Sequence, residues 1–330
     1  LDREGINDPS SFHQNTAPAV TFREQAEFWL KQLKEEPVKP SYSYSQSCIL
    51  NKWLLPLLGG KQLRDVNNGE LKLVVETMRK EKLSASTIRS YTNPIKYVLD
   101  SAVDKDGNKL YPRTWNDSFV RMPIIDKRAQ HRPTITPEQI ENKLPLLKHR
   151  ERMLCGLLII TGPRVGESLA FETDDFSSDC RIVRVKKNNW RGQILSPKTP
   201  NAVREVDIPP DFAAVLCDYI SEKSGYLFAT KSGRPLSQRN ALRSLHAVGL
   251  RGGFHMFRRF REELLVKKDC PRELRNFWMG RACETVGQFY ALGICNDLNW
   301  RRRWAEDIGL GFNWATVGHK VAQIHESNAA

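Results

Sequence analysis

The sequence contains no CxxC pair. Its seven cysteines (Cys48, Cys155, Cys180, Cys217, Cys270, Cys283 and Cys295) are odd in number and widely spaced, and no histidines cluster around them. That pattern argues against a disulfide framework and against a zinc site, and fits reduced thiols in a reducing compartment. No stretch approaches the ~18 consecutive apolar residues of a membrane span. The opening residues, LDREGINDPSSFHQNTAPAV, lack the apolar region of a secretory signal, so 1–19 reads as a loose leader. The first residue is Leu rather than Met, as in a trimmed or partial chain. Neither an internal repeat nor a low-complexity tract is visible.

The 330 residues suggest about two domains of ~150 residues each. Hydrophobic residues make up 40% and charged residues 27%, enough for a core of ordinary size. The charge balance is less ordinary. The 51 Lys and Arg against 38 Asp and Glu leave a formal net charge of +13. Such an excess raises the expectation of a polyanionic partner, most simply nucleic acid. On charge alone, a basic enzyme without such a partner fits equally well.

Hydrophobic spacing predicts a helical bundle over 20–105. TFREQAEFWLKQLKEE reads as an amphipathic helix capped by Thr21. SYSQSCILNKWLLPLLG reads as a helix with a capping serine that stops near Pro56 and Gly59–Gly60. NNGELKLVVETMRKEK follows as a third helix, and SASTIRSYTNPIKYVLD as a fourth, capped by Ser84 or Ser86. Residues 106–135 hold Pro112, Pro123 and Pro133 and no clear period, and read as a linker. A second domain then spans 136–330. Thr136 as N-cap, Pro137 at the first position and Gln139 at the third open it with a capping box. RERMLCGLLIITG is a strongly apolar helix, and the Val- and Ile-rich runs between Cys180 and Pro210 suggest a small antiparallel sheet. The expected fold class is therefore mainly α with a small antiparallel β-sheet.

Four stretches carry chemistry. In ITGPRVGESL, Glu167 lies three residues after Arg164, within reach of its guanidinium in a helical turn, and an arginine held this way suits an oxyanion. In SPKTPNAVREVDIP, Lys198 sits at a turn between strand-like runs, where burial beside phosphate would perturb its pKa and let it act as a proton donor. In FHMFRRFREELL, a helix from His255 places His255 and Arg258 one turn apart on one face, with Phe254, Phe257, Phe260 and Leu264 free to anchor a core. In NFWMGRACETVGQFYAL, Gly280 reads as a helix stop and Tyr290 falls within the next helix. Taken singly, each stretch also reads as structural: an Arg–Glu pair, a solvated turn lysine, a basic helix face, a core tyrosine.

Their order is more specific. Arg with Glu three residues on, Lys on a strand turn, His-x-x-Arg, then a glycine and a polar residue followed nine positions later by Tyr: this succession resembles the tyrosine recombinase (phage integrase) family over about residues 20–295. The resemblance implies an N-terminal helical core-binding domain that clamps DNA and an α+β catalytic domain with a C-terminal tail. It implies that Arg164 and Arg258 hold the non-bridging oxygens of the scissile phosphate, and that Lys198 protonates the departing 5′-oxygen. His255 would assist proton transfer, Glu167 would buttress the site, and Tyr290 would attack to form a 3′-phosphotyrosyl link. No cofactor, ATP or metal ion is implied. Three positions depart from the family pattern. Pro163 replaces a small apolar residue or Leu, and Arg259 replaces a second histidine. Arg281 stands where the family usually has His or Trp; it can donate a hydrogen bond to phosphate but cannot shuttle a proton near neutral pH.

The implied activity is site-specific cutting and rejoining of DNA, in integration, excision or resolution. The implied partners are double-stranded DNA and further copies of the chain in a tetramer on two DNA sites, with an accessory DNA-bending protein left open and no membrane. The implied location is the cytoplasm with the DNA: the nucleoid, or the nucleus in a eukaryotic host. A catalytically silent DNA-binding protein on the same fold is one alternative. A type IB topoisomerase-like strand transferase is another. The set Arg164, Lys198, His255, Arg258 and Tyr290 favours an enzyme, and the compact helical N-terminal domain favours a recombinase. After the tyrosine, Trp300, Trp304, Phe312 and Trp314 form an apolar tail that would pack either at home or on a neighbouring protomer.

Overall fold

Thr21 starts the first helix with a capping box: its hydroxyl accepts from the Glu24 N–H, and the Glu24 carboxylate accepts from the Thr21 N–H at 2.8 Å. This computed structural model describes residues 20–128, 130, 132–197, 202–281 and 292–318. It is mainly helical with small antiparallel sheets, and it divides into two compact units between Gln130 and His131.

The first unit is built on α1 (Phe22–Glu35), α2 (Pro40–Ile49), α3 (Leu55–Leu58), α4 (Asn68–Lys80) and α5 (Ala85–Asp100). The helix stops as expected near Pro56 and Gly59–Gly60: α3 ends at Leu58 with Gly59 as its C-cap. A π-helical turn over Leu50–Leu54 joins α2 to α3, and Pro56 falls in the first turn of the renewed α-helix, where no N–H is required. A serine does not cap α2, whose N-cap is Lys39 followed by Pro40. Asn67 caps α4 and Ser84 caps α5. The apolar faces of these helices meet in one core that includes Phe22, Leu54, Leu71, Val75, Ile95 and Val98. Tyr111, Val120 and Met122, inside the stretch expected to be a linker, are buried in this same core, and α6 (Asp117–Val120) lies among them.

In the second unit Thr136 caps α7 (Pro137–Lys143), with the expected box from Gln139. Residues 151–161 of α8 (His149–Thr161) are buried all round, so α8 is the central helix. It ends at Gly162, whose positive φ of 65° suits glycine. After α9 (Val165–Ser168) come two antiparallel ladders. Strand β1 (Ile182–Val185) pairs with β4 (Arg204–Asp207), Ile182 opposite Asp207. Strand β2 (Asn188–Trp190) pairs with β3 (Gln193–Leu195) around Arg191–Gly192, both at positive φ, as a two-residue hairpin turn requires. Helices α10 (Pro210–Ser221), α11 (Gln238–Ala247), α12 (His255–Lys267), α13 (Arg272–Met279) and α14 (Leu298–Ile308) complete the described residues.

Through residue 318 the C-terminal segment packs in cis. Ala305, Ile308, Leu310, Trp314 and Val317 are buried in the core of the second unit. The Trp314 ring meets Phe212 edge-on at 4.7 Å and lies so close to Gly156 that a Cβ there would come within 2.5 Å of it. Arg302 pairs with Asp179 and Arg181 with Glu306, fastening α14 to the turn before β1. Trp314→Ala is expected to destabilise the chain by about 3–5 kcal/mol, the cost of a large core-to-Ala truncation, read from urea unfolding monitored by circular dichroism.

Candidate active site

Gly162 turns the chain sharply out of α8, and Arg164 stands at the N-cap of α9 two residues later. One carboxylate fixes it. Glu167 accepts the Arg164 backbone N–H on Oε2 at 3.0 Å and the Arg164 Nη1 on Oε1 at 2.8 Å. The Glu167 side chain is 1% exposed while that of Arg164 is 36% exposed, so the carboxylate is committed inward and the guanidinium still reaches outward. Gly166 is part of the arrangement: a Cβ there would sit 3.0 Å from the Asn189 carbonyl of the β2–β3 hairpin.

Glu167 has a second partner that the sequence reading passed over. Arg204, the first residue of β4, donates Nη2 to Glu167 Oε2 at 3.1 Å, and both side chains are 1% exposed. Burial alone would raise the Glu167 pKa. Arg204, then the backbone and side chain of Arg164, outweigh it and hold the carboxyl below its ordinary value. The available signal was strand alternation: Arg204 shares a face with Val206, and both point inward.

Helix α12 brings the His-x-x-Arg pair to the same turn. Phe254, Phe257 and Phe260 are buried as expected, and Leu264 packs against that core. Arg258 Nη1 donates to the Gly162 carbonyl at 2.6 Å, and its Nη2 donates to the Met279 carbonyl at the end of α13. Burial pushes the Arg258 pKa down to about 10, and the charges of Arg164, Arg204 and Arg281 push the same way, against Glu167. His255 is shifted down by partial desolvation and then by Arg258, Arg259 and Arg164. Arg259, at the position of the family's second histidine, donates to the Pro133 carbonyl at 2.6 Å. Arg281 directly follows the Gly280 cap and donates Nη1 to Glu262 Oε1 at 2.9 Å. With half of its side chain exposed, it too can reach outward.

Arg164, His255, Arg258 and Arg281 therefore form one electrostatically coupled group in which Glu167 is the buried counter-charge. Lys198 and Tyr290 lie outside the described residues. Chemically, the group offers several charge-assisted donors and a neutral imidazole beside them, a fitting receptor for a phosphodiester. Burial and then repulsion from the neighbouring guanidiniums lower the affinity of Arg258 for its proton, and a bound anion would relieve the repulsion.

No protein-family model and no curated protein matches the sequence. Solved structures do match in fold. The Tn1549 transposon integrase in complex with transposon right end DNA matches with a TM-score of 0.63 at 16% identity, over 87% of this chain and 98% of that one. A lambda integrase tetramer bound to a Holliday junction matches with a TM-score of 0.61 at 16% identity, over 86% of this chain and 84% of that one. A lambda integrase dimer bound to a COC' core site gives 0.60 at 16% identity, over 82% and 77%. The fold is that of the tyrosine recombinases.

Two outcomes follow from the geometry. Glu167→Gln removes the counter-charge of a buried arginine and should cost about 3–5 kcal/mol near neutral pH. Because the folded pKa of Glu167 lies below 4.5, its stabilisation is present above that value and lost as pH falls through the folded value. The stability difference between the parent protein and Glu167→Gln, measured by urea unfolding, should therefore shrink only in acid. For His255 the sign is the same but the window lies higher in pH. Its folded pKa lies below 6.5, so folding disfavours the proton and stability falls as pH drops below 6.5. NMR titration of the DNA-free protein should place its midpoint below 6.5, and Arg259→Gln should move it up.

Proposed function

We propose that this chain is a site-specific DNA recombinase that cuts and rejoins DNA through a 3′-phosphotyrosyl intermediate. The observation that carries the reading is the pair Arg164 and Arg258. They converge on the Gly162 turn, one held by a buried carboxylate and the other by two carbonyls, within a fold shared with integrases bound to DNA.

Arg164 and Arg258 take the non-bridging oxygens of the scissile phosphate and stabilise the charge that builds on them in the pentacoordinate transition state. Arg281 donates a further hydrogen bond in place of the family's His or Trp. The Tyr290 hydroxyl oxygen attacks phosphorus, and His255, neutral near pH 7, takes its proton. The bond to the 5′-oxygen breaks, and Lys198 gives that oxygen its proton. A 5′-hydroxyl of another strand reverses the steps. The phosphotyrosyl bond conserves the energy of the phosphodiester, so rejoining asks for no ATP.

The helical unit that begins at residue 20 clamps one side of the duplex, and residues 136–330 perform the chemistry. Four copies assemble on two DNA sites in the cytoplasm, at the nucleoid or in the nucleus according to the host, with or without a DNA-bending accessory protein. Lys and Arg contacts to phosphate make the affinity fall steeply with salt.

The test is a covalent trap. The protein is incubated with supercoiled DNA from the neighbourhood of its own gene, quenched with detergent, and assayed for protein that stays on DNA until protease releases it. The parent protein should form this adduct and Tyr290→Phe should not. Arg258→Ala should form it about 100-fold more slowly or worse. An adduct that persists in Tyr290→Phe would show that the nucleophile lies elsewhere. DNA binding without any adduct would favour a binding protein.

A further inference from the structure

Arg204 is a fully buried charge near the site, and each of its three guanidinium nitrogens has an acceptor. Its Nε donates to the Trp278 carbonyl at 2.7 Å, Nη1 to the Ala202 carbonyl at 2.7 Å, and Nη2 to Glu167 at 3.1 Å. A guanidinium in such a place is costly unless it is paired and hydrogen-bonded, and here it is both.

Each partner leads to a different part of the phosphate receptor. Glu167 is the group that fixes Arg164. Trp278 belongs to the last turn of α13, where the next carbonyl, Met279, accepts from Arg258. Two consecutive carbonyls at the negative end of one helix dipole are thus taken by two arginines from different elements. Gly280 closes that helix against Arg204. Its φ is +59°, and a Cβ there would come within 2.9 Å of Nη1, so the chain can turn towards Arg281 only because residue 280 has no side chain.

We propose that Arg204 is a positioning residue for strand cleavage. It acts through Glu167 on Arg164 and through the end of α13 on Arg258 and Arg281, and never touches DNA. Being 1% exposed, it cannot reach a ligand. Without it, two backbone carbonyls would lose this donor and Glu167 Oε2 would keep only the Arg164 N–H. Glu167 would then be easier to protonate and would hold Arg164 less firmly. A hydrophobic residue could fill the space but could not set the register between β4, α9 and α13.

This rests on the recombinase reading, and the experiment separates the two. Arg204→Met and Arg204→Lys are compared with the parent protein on the DNA that traps it, once with an ordinary scissile phosphate and once with a methylphosphonate there. The neutral linkage lacks one anionic oxygen and so asks less of Arg164. Arg204→Met, folded by circular dichroism, should form the adduct about 100-fold more slowly on the phosphate, the scale of losing one preorganised donor. On methylphosphonate DNA that loss should shrink to tenfold or less. Arg204→Lys, which keeps the charge opposite Glu167, should fall between, and it carries the comparison if the methionine variant does not fold. Cleavage within about threefold of the parent would overturn the proposal, since that is under 1 kcal/mol. An equal loss on both substrates would overturn it too, because a merely structural defect does not distinguish the linkages. If the parent protein gives no adduct on either DNA, the recombinase reading fails and the role of Arg204 falls with it.

Discussion

Arginines brought together concentrate positive charge, and positive charge does not gather unaided. In this chain the opposition is settled by a single buried carboxylate. Glu167 accepts from Arg164 on one side and from Arg204 on the other, and its own folded pKa is held low by the company it keeps. The reach of Arg164 into solvent, the seating of β4 against α9 and the close packing of the β2–β3 hairpin over Gly166 all follow from placing that one group. Arg258 is anchored by carbonyls instead of an acid, while Arg281 pairs with Glu262. Carbonyls carry partial charge, so the site keeps its excess of positive potential while its geometry is fixed.

The same economy explains the glycines at the two helix ends beside the site. Gly162 and Gly280 each end a helix in the left-handed region, and each exposes carbonyls that an arginine then takes. The turn at Gly162 is also packed from behind: a Cβ there would come within 3.0 Å of Met279 Sδ. Site and core are therefore one construction. The buried Asp207 accepts the Trp278 indole at 2.8 Å and pairs with Arg301 of α14 at 3.0 Å, which ties the helix beneath the site to the C-terminal segment.

Much of this was legible in the sequence, and what was missed had a consistent cause. Capping chemistry is local, so Thr21, Ser84 and Thr136 could be read directly. The spacing of Arg164 and Glu167, and of His255 and Arg258, is also local, within one helical turn. The π-turn over Leu50–Leu54 was not legible, because no residue type announces a π-turn. The stretch 106–122 misled because its prolines hide an irregular segment whose Tyr111, Val120 and Met122 serve the first core. Arg204 escaped because its meaning is tertiary. Two of its three partners lie 37 and 74 residues away, and strand alternation shows that it points inward without showing what it meets. The roles of Lys198 and Tyr290 rest on the order of motifs alone.

The most direct measurement is peptide mapping of the trapped DNA adduct. The adduct is digested with nuclease and protease, and the modified peptide is sequenced by mass spectrometry. The expected result is a nucleotide joined through its 3′-phosphate to the Tyr290 side chain. A nucleotide on any other residue, or one attached through its 5′-phosphate, would contradict the placing of the nucleophile and the polarity of cleavage together.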